Sequence, residues 1–395
     1  MAYTKEEFKQ LVDDIQSQSW YKNPVGFGIA RVDRGQINKD KILQATFPLI
    51  NWNENFGSAA VLLNALKVAG ENLDTSKSEL VCKISDAFLT SCIEAFRPFI
   101  PEAKGDAHKN VQVISTLASL PIDSGLTAED YRVVFIFEDA APESTEAVYL
   151  KLYALSTGKA ALRSLNLNGA FGKLHNCAWV GNQPIELDWL RANEIVLKLS
   201  GKYPNIDFVD KFPRLLQHVI LADNTRILDS GKVRMGAQLA AGTTVMPGAA
   251  YINFNAGTLG SVMVEGRISS SAVVGAGSDV GGGASILGVL SGTDGVPVTI
   301  GENTLLGANS CTGTTIGDGC ILDAGVTILP GTKIALSDKA VEQLQAINPG
   351  KTISNVMKGS DFIGVNGVHF RVNSSNGQTI AMTSTREIKL NADLH

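Results

Sequence analysis

Aliphatic residues recur every six positions through a glycine-rich stretch between residues 233 and 334. They fall into four runs, separated by shifts of frame and by an interruption at 287–297: Val233, Leu239, Val245; Val262, Ile268, Val274, Val280, Ile286; Ile300, Leu306; Ile316, Leu322, Ile328, Ile334. A period of six fits neither an α-helix nor an alternating strand. It is typical of the hexapeptide parallel β-helix, in which the aliphatic side chains fill a narrow axis and about 18 residues make one coil. Such coils are left-handed as a rule, against the usual crossover preference.

The regions on either side carry ordinary helix and strand patterns. Thr4 and Glu7 form a capping box ahead of an amphipathic helix. Further helices are predicted at 58–68, 144–155, 185–199 and 337–347, and strands at 133–137, 362–365, 369–372, 380–383 and 387–390. We therefore predict a mixed α/β N-terminal domain at 1–225, a left-handed parallel β-helix at 226–340 and a small β-rich C-terminal domain at 341–395.

The composition argues against several classes of protein. With 44% hydrophobic and 18% charged residues, the 395-residue chain is expected to be soluble and globular, and its net charge of −5 argues against a nucleic-acid binder. No apolar run reaches the length of a membrane span, and the N-terminus lacks the pattern of a secretory signal. The five cysteines show no CxxC spacing, so we expect free thiols in the reducing cytoplasm.

Parallel β-helices of this kind often form trimers and bind an acyl-coenzyme A between neighbouring subunits. An amine acceptor must lose a proton to attack a thioester, so acyl transfer requires a base. None of the five histidines lies between 233 and 334, which argues against a histidine base on the coils and against a three-histidine zinc site. The candidate bases in this stretch are acids: Glu265, Asp279, Asp294, Glu302, Asp318 and Asp323.

Glu265 stands out among these acids because it lies between small and apolar residues, in the segment MVEGR at 263–267. Glu302 and Asp318 each follow a glycine and are expected to be solvated turn residues. We predict that Glu265 is the base. The alternative is a structural ion pair with Arg267, since residues two apart on a strand share a face. Arg267 has a second role open to it, because a guanidinium grips a carboxylate, and a succinyl donor offers one whereas an acetyl donor does not.

Four segments carry a more specific signal: VRMGAQLA at 233–240, NFNAGTLG at 253–260, MVEGRIS at 263–269 and GSDVGGGAS at 277–285. Together they resemble the tetrahydrodipicolinate N-succinyltransferase family. The resemblance implies a homotrimer that uses succinyl-coenzyme A as co-substrate. The reaction it implies converts tetrahydrodipicolinate, as the acyclic 2-amino-6-oxopimelate, to N-succinyl-2-amino-6-oxopimelate and coenzyme A, in the diaminopimelate route to lysine.

The same resemblance assigns roles to individual residues. The catalytic carboxylate falls on Glu265, as a general base or as a nucleophile that forms an acyl anhydride. Contacts to succinyl-coenzyme A fall on Arg267, Gly282, Ser285, Ala308, Asp323, Ala324 and Gly331 and, in the tail, on Lys358, Arg371, Asn373 and Ser374. For Gly282, a simple coil corner is an equal alternative. Some relatives hold a metal on the trimer axis, but the acids for it have no counterpart at 246–251, so no metal is predicted.

Two other functions stay open at this point. The first is a hexapeptide acyltransferase for a different amine or hydroxyl acceptor, although such enzymes usually bring a histidine base. The second is a non-catalytic β-helix used for assembly, which predicts no binding of coenzyme A. Neither nucleic acid nor a membrane is expected as a partner.

Overall fold

The computed structural model describes residues 4–120, 127–289, 293, 295–385 and 390. The chain divides into two compact units. The first combines Met1–Ala154 with Leu165–Pro213, and the second combines Leu155–Ser164 with Arg214–His395. The second unit contains the hexapeptide stretch and all the predicted site residues. The predicted domain limits after residues 225 and 340 remain predictions.

An antiparallel sheet lies at the centre of the first unit. Its strands are β1 (Gly26–Arg34), β2 (Ile42–Trp52), β3 (Glu79–Lys83) and β4 (Tyr131–Ile136), in the spatial order β2-β1-β4-β3. A smaller sheet has the order β6-β5-β7, with β5 at Cys177–Val180, β6 at Gln183–Glu186 and β7 at Phe208–Asp210. The apolar run that predicted a strand at 133–137 lies in β4, which is buried apart from its first residue.

The helices of this unit include the four that the sequence predicts and three that it does not. They are α1 (Lys5–Gln16), α2 (Phe56–Val68), α3 (Asp86–Phe96), α4 (Lys109–Ser119), α5 (Thr145–Ser156), α6 (Ala170–Lys173) and α7 (Leu187–Leu199). The capping box of Thr4 and Glu7 is present at the start of α1, and the helices predicted at 58–68, 144–155 and 185–199 are confirmed. In the described ranges, no helix has the length and hydropathy that a membrane span requires.

The second unit contains a parallel β-helix with three faces. Face A consists of β8 (Arg226–Ile227), β9 (Thr244–Val245), β12 (Met263–Val264), β15 (Asp279–Val280), β18 (Leu305–Leu306) and β20 (Ile321–Leu322). Face B consists of β10 (Tyr251–Ile252), β13 (Arg267–Ile268), β16 (Ser285–Ile286), β19 (Cys311–Thr312) and β21 (Thr327–Ile328), and face C of β11 (Gly257–Thr258), β14 (Val273–Val274) and β17 (Thr299–Ile300). The second residue of each strand points towards the axis. The predicted aliphatic positions all belong to this core, with Leu239 only partly buried at its border.

The coils are not uniformly 18 residues long, as the period of six had predicted. The pairing of Arg267 with Ser285 spans 18 residues, but Tyr251 with Arg267 and Cys311 with Thr327 span only 16. One cause is visible between β12 and β13, where the corner contains only two residues, Glu265 and Gly266, instead of the four at 281–284. The shifts of frame in the sequence therefore mark tight corners of the same β-helix.

The tail adds one more rung to face A. Its elements are β22 (Lys333–Ala335), α8 (Asp338–Ile347), β23 (Val356–Lys358), β24 (Val368–Val372) and β25 (Thr379–Thr383). Strand β24 pairs in parallel with β20, where His369 lies opposite Ile321, and it pairs antiparallel with β25. The backbone groups of β20 at the end of the coils are therefore hydrogen-bonded rather than left as an open edge.

The predictions for the tail have mixed outcomes. The helix at 337–347 and the strands at 369–372 and 380–383 are confirmed. The strand predicted at 362–365 is wrong. Gly359–Phe362 forms a 3₁₀ helix instead, and Gly364 has a left-handed backbone with φ of 75°, which ends any extended run there. The strand predicted at 387–390 lies outside the described residues apart from Leu390.

Gly257→Ala tests the close stacking of the coils. A Cβ at this position of β11 would overlap the carbonyl oxygen of Gln238 in the preceding coil. Because that backbone is held by the pairing of the two coils, we expect a loss of stability of about 1–3 kcal/mol, measured by urea unfolding. Gly350→Ala is the control, since nothing lies within 4 Å of its added methyl group. Equal stability of the two variants would contradict the stacking.

Candidate active site

One corner of the β-helix, where face A turns into face B, brings together five predicted residues. This A/B corner comprises 265–266, 281–284, 307–310 and 323–326, and it carries Glu265, Gly282, Ala308, Asp323 and Ala324. Backbone hydrogen bonds join successive coils here. The amide of Gly283 donates to the carbonyl of Glu265 at 3.4 Å, and that of Asn309 donates to Gly282 at 2.9 Å. The predicted residues therefore form a column along the axis, with a spacing of about 4.8 Å per coil.

Glu265 occupies the tightest turn of this column. Its backbone amide donates to the carbonyl of Val280 at 2.8 Å, which fixes its position against the next coil. The side chain is partly buried, and no described residue forms a hydrogen bond or an ion pair with its carboxylate. The alternative of a structural ion pair with Arg267 is therefore wrong.

Three consecutive glycines occupy positions 281–283, in the coil next to Glu265, and the structure requires glycine at only two of them. A Cβ on Gly281 would lie 2.6 Å from the carbonyl oxygen of Leu306, and one on Gly283, where φ is 73°, would collide with Oδ1 of Asn309. The coil requires glycine at both positions. At Gly282, the nearest atom is Oε2 of Glu265 at 3.7 Å, an ordinary contact distance. Coil geometry does not require glycine there, and the bare backbone leaves open space beside the carboxylate.

Arg267 and Ser285 lie next to this corner on the outer surface of face B. The register places Arg267 beside Ser285 and Ser285 beside Cys311, so the three side chains form a ladder parallel to the column. Arg267 is exposed and has no ion-pair partner among the described residues, whereas Ser285 is buried. Burial raises the pKa of the Cys311 thiol, and the positive charge of Arg267 acts in the opposite direction. The period of six marks only inward positions, so it gave no signal for Cys311.

The outermost rung carries a polar cluster that the sequence did not predict as a unit. Oδ1 of Asp323 lies 2.7 Å from Nε2 of His369, and Oδ2 lies 3.0 Å from Nε of Arg371. His369 and Arg371 belong to β24. The tail thus adds a histidine to this rung from outside 233–334, the stretch in which the sequence has none. The rung of β24 lies about 19 Å, four strand spacings, from the rung of Glu265. His369 is therefore too far away to replace Glu265 as the base.

Asn373 and Ser374 follow β24 in the turn that leads to β25. Ser374 is exposed, and Oδ1 of Asn373 accepts hydrogen bonds from the amide and the hydroxyl of Ser375, at 3.0 and 2.6 Å. Gly377 in this turn has a left-handed backbone, with φ of 73°.

Gly331 and Lys358 lie apart from the column, near the opposite edge of face B. Gly331 is exposed in the turn from β21 to β22. Lys358 lies directly opposite Lys333 in the antiparallel pair of β22 and β23. Both lysines are exposed, and like charges in opposed positions repel each other. Lys333 is thus a second cation at this position, which sequence reasoning missed because the pairing depends on the fold of the tail.

The other candidate acids do not belong to the column. Glu302 and Asp318 are exposed at the corner where face C returns to face A, as predicted, and the amide of Glu302 donates to the Asp318 carboxylate at 2.8 Å. Asp279 lies on face A, and Asp294 lies outside the described residues. In the described part of the chain, no three or more His, Cys, Asp and Glu side chains cluster so that they could hold a metal ion.

Three family models match the chain. They are tetrahydrodipicolinate N-succinyltransferase N-terminal at 6–172, tetrahydrodipicolinate N-succinyltransferase middle at 174–214, and hexapeptide repeat of succinyl-transferase at 297–330. The first two cover most of the region in front of the coils. The match therefore extends to both units of the structure.

Individual relatives are similar along their whole length. The chain is 65% identical to a 2,3,4,5-tetrahydropyridine-2,6-dicarboxylate N-succinyltransferase of Sulfurovum sp. (strain NBC37-1), over 99% of this chain and 98% of that protein. It is 53% identical to the protein of the same name from Campylobacter jejuni, over 100% of both chains. A crystal structure from Campylobacter jejuni, assigned as a 2,3,4,5-tetrahydropyridine-2-carboxylate N-succinyltransferase, aligns with a TM-score of 0.92 and 53% identity over 98% of this chain and 100% of that one. The chain belongs to the tetrahydrodipicolinate N-succinyltransferase family.

Proposed function

We propose that this enzyme transfers the succinyl group of succinyl-coenzyme A to tetrahydrodipicolinate, in its acyclic 2-amino-6-oxopimelate form. The products are N-succinyl-2-amino-6-oxopimelate and coenzyme A, and the reaction belongs to the diaminopimelate route to lysine. Relatives at 65% and 53% identity over nearly the whole chain carry the name of this activity. The observation that supports it most directly is the carboxylate of Glu265, which faces the open backbone of Gly282 at the A/B corner and pairs with no other described side chain.

In this proposal, Glu265 accepts the proton of the acceptor amine. The amine nitrogen attacks the thioester carbonyl carbon, the C–N bond forms as the C–S bond breaks, and the coenzyme A thiolate leaves and takes up a proton. A route in which Glu265 attacks first and forms an acyl anhydride uses the same carboxylate. Exchange of labelled coenzyme A into succinyl-coenzyme A without acceptor distinguishes the two, because only the anhydride route permits it.

The donor is proposed to lie along the A/B corner. Arg267, exposed and without an ion-pair partner among the described residues, would bind the succinyl carboxylate beside Glu265. The small residues above Glu265 would let the thioester arm approach the backbone closely. The proposed donor contacts are Arg267, Gly282, Ser285, Ala308, Asp323, Ala324, Arg371, Asn373 and Ser374, with Gly331 and Lys358 near the far edge of face B.

We propose left-handed coils and a homotrimer as the working assembly. Gly331 and Lys358 lie near the edge of face B that is far from the A/B corner. A donor bound at the A/B corner of one copy would contact these two residues of a neighbouring copy, if that edge of the neighbour faced the corner. Two cavities, one of about 350 Å³ lined by Ser156 and Gln238 among others and one of about 520 Å³ in the first unit, have no predicted site residue in their lining. A cytoplasmic location fits the five cysteines, all of them free.

Glu265→Gln tests the base. The amide keeps the shape of the side chain but cannot accept the proton, so kcat for thiol release from succinyl-coenzyme A with tetrahydrodipicolinate is expected to fall by about 10²–10⁴-fold, with the oligomer intact. Glu302→Gln changes an exposed acid at another corner and is expected to keep wild-type turnover. Wild-type turnover in Glu265→Gln would remove Glu265 as the base. Absence of thiol release by the wild-type enzyme would favour another acceptor or an assembly role.

Gly282→Ala tests the open space beside Glu265. The added methyl group meets no backbone atom, so stability is expected to stay within about 0.5 kcal/mol of wild type. KM for succinyl-coenzyme A is expected to rise about tenfold or more, since the donor loses its close approach to the backbone. Gly283→Ala is the comparison and is expected to lose stability by about 1–3 kcal/mol. If both variants lose the same stability, the geometry of the coil corner is sufficient to explain why residue 282 is glycine.

Arg267→Lys tests recognition of the donor carboxylate. Lysine keeps the charge but cannot form two parallel hydrogen bonds to a carboxylate. We expect kcat/KM with succinyl-coenzyme A to fall about tenfold, the effect of a loss of about 1.4 kcal/mol, while the slow reaction with acetyl-coenzyme A changes less than about twofold. Equal losses with the two donors would show that Arg267 does not read the carboxylate.

A further inference from the structure

The carboxylate of Asp323 is shared between two side chains of the tail. Oδ1 lies 2.7 Å from Nε2 of His369, and Oδ2 lies 3.0 Å from Nε of Arg371. The two tail residues are separated by one position in β24, so their side chains lie on the same face of that strand. A single carboxylate at the end of the A/B corner thus connects the last coil to the tail strand that stacks on it.

The three side chains differ in how far they are buried. The exposed fraction is 21% for His369, 39% for Asp323 and 49% for Arg371. The imidazole is therefore the most firmly held member, and the guanidinium is the most open to a ligand. Arg371 meets Asp323 through Nε, and about half of its side chain is exposed. A guanidinium carries further N–H donors in a fork geometry that suits a phosphate.

We propose that His369 is a positioning residue of the donor site, which holds Asp323 so that Asp323 in turn fixes the direction of Arg371. This inference rests on the proposed function. Asp323 lies three coils, about 14 Å, from Glu265 along the column, so the cluster faces the distal, phosphate-bearing part of the donor rather than the acyl group. His369 therefore acts on donor binding and not on the chemical step.

The pairing of the tail strand explains why His369, rather than a residue of the coils, holds the Asp323 carboxylate. Residue 369 lies directly opposite Ile321 in the pairing of β24 with β20, which puts the imidazole beside the corner that Asp323 begins. No other side chain of the described residues contacts the Asp323 carboxylate. Without the imidazole, only the more exposed guanidinium remains to hold Asp323, and both side chains are free to turn.

The test compares His369→Leu with His369→Gln in the full-length enzyme. Leucine removes the ring nitrogen, whereas the glutamine amide places a donor near the position of Nε2. We expect KM for succinyl-coenzyme A to rise about tenfold in His369→Leu with kcat within about twofold, and to return to within about threefold of wild type in His369→Gln. Glu342→Gln, an exposed acid on α8 of the same tail, is the control and is expected to match wild type.

A truncated donor separates positioning from a merely structural role. S-succinylpantetheine lacks the phosphates, so its KM is expected to be the same for wild type and His369→Leu. Equal losses with both donors, or no loss with succinyl-coenzyme A, would overturn the inference while leaving the proposed function in place. If the wild-type enzyme releases no thiol, the proposed function fails. The inference is then decided by calorimetry with coenzyme A, where unchanged affinity in His369→Leu would overturn it.

Discussion

The parallel register between successive coils is the constraint on which the rest of the structure depends. Inward residues such as Ile252, Ile268 and Ile286 pair directly with one another and are fully buried. Because this axis is narrow and filled, each coil is fixed at one height and one rotation relative to the next. Corners consequently stack on corners, and residues far apart in the sequence become neighbours along one edge of the prism.

The candidate site residues Glu265 and Gly282 lie where the coil departs from its regular geometry. The corner at Glu265 and Gly266 is two residues shorter than the corner of the next coil, which includes Gly282. The short turn holds the carboxylate close to the β-helix, and the longer turn presents a bare glycine to it. A perfectly regular repeat would give every corner the same length and would not set a short turn with a carboxylate beside a longer turn with a bare glycine. The unequal lengths of these two corners thus give this part of the β-helix a surface that the regular coils lack.

The tail completes the end of the β-helix in two senses. Its strand β24 supplies partners for the backbone of β20, and the buried rings of Phe362 and Phe370, 5.1 Å apart, belong to the core of the coils. The same strand presents His369 and Arg371 to Asp323. One short segment therefore closes an open sheet edge, extends the core and adds polar side chains to the corner. A change in the tail is expected to affect stability and ligand binding together unless it is confined to the outer face.

The sequence by itself predicted the parallel β-helix and its inward positions, because a filled axis demands an aliphatic residue at each of them. It also singled out Glu265 and Arg267, charged residues in a stretch of small and apolar ones. It could not place His369 beside Asp323, separate Gly331 and Lys358 from the A/B corner, or reject the strand at 362–365. Those outcomes depend on how the tail pairs with the last coil. A local pattern reports which side of the chain faces the core, whereas contacts between distant segments are set by register, and register exists only in the folded chain.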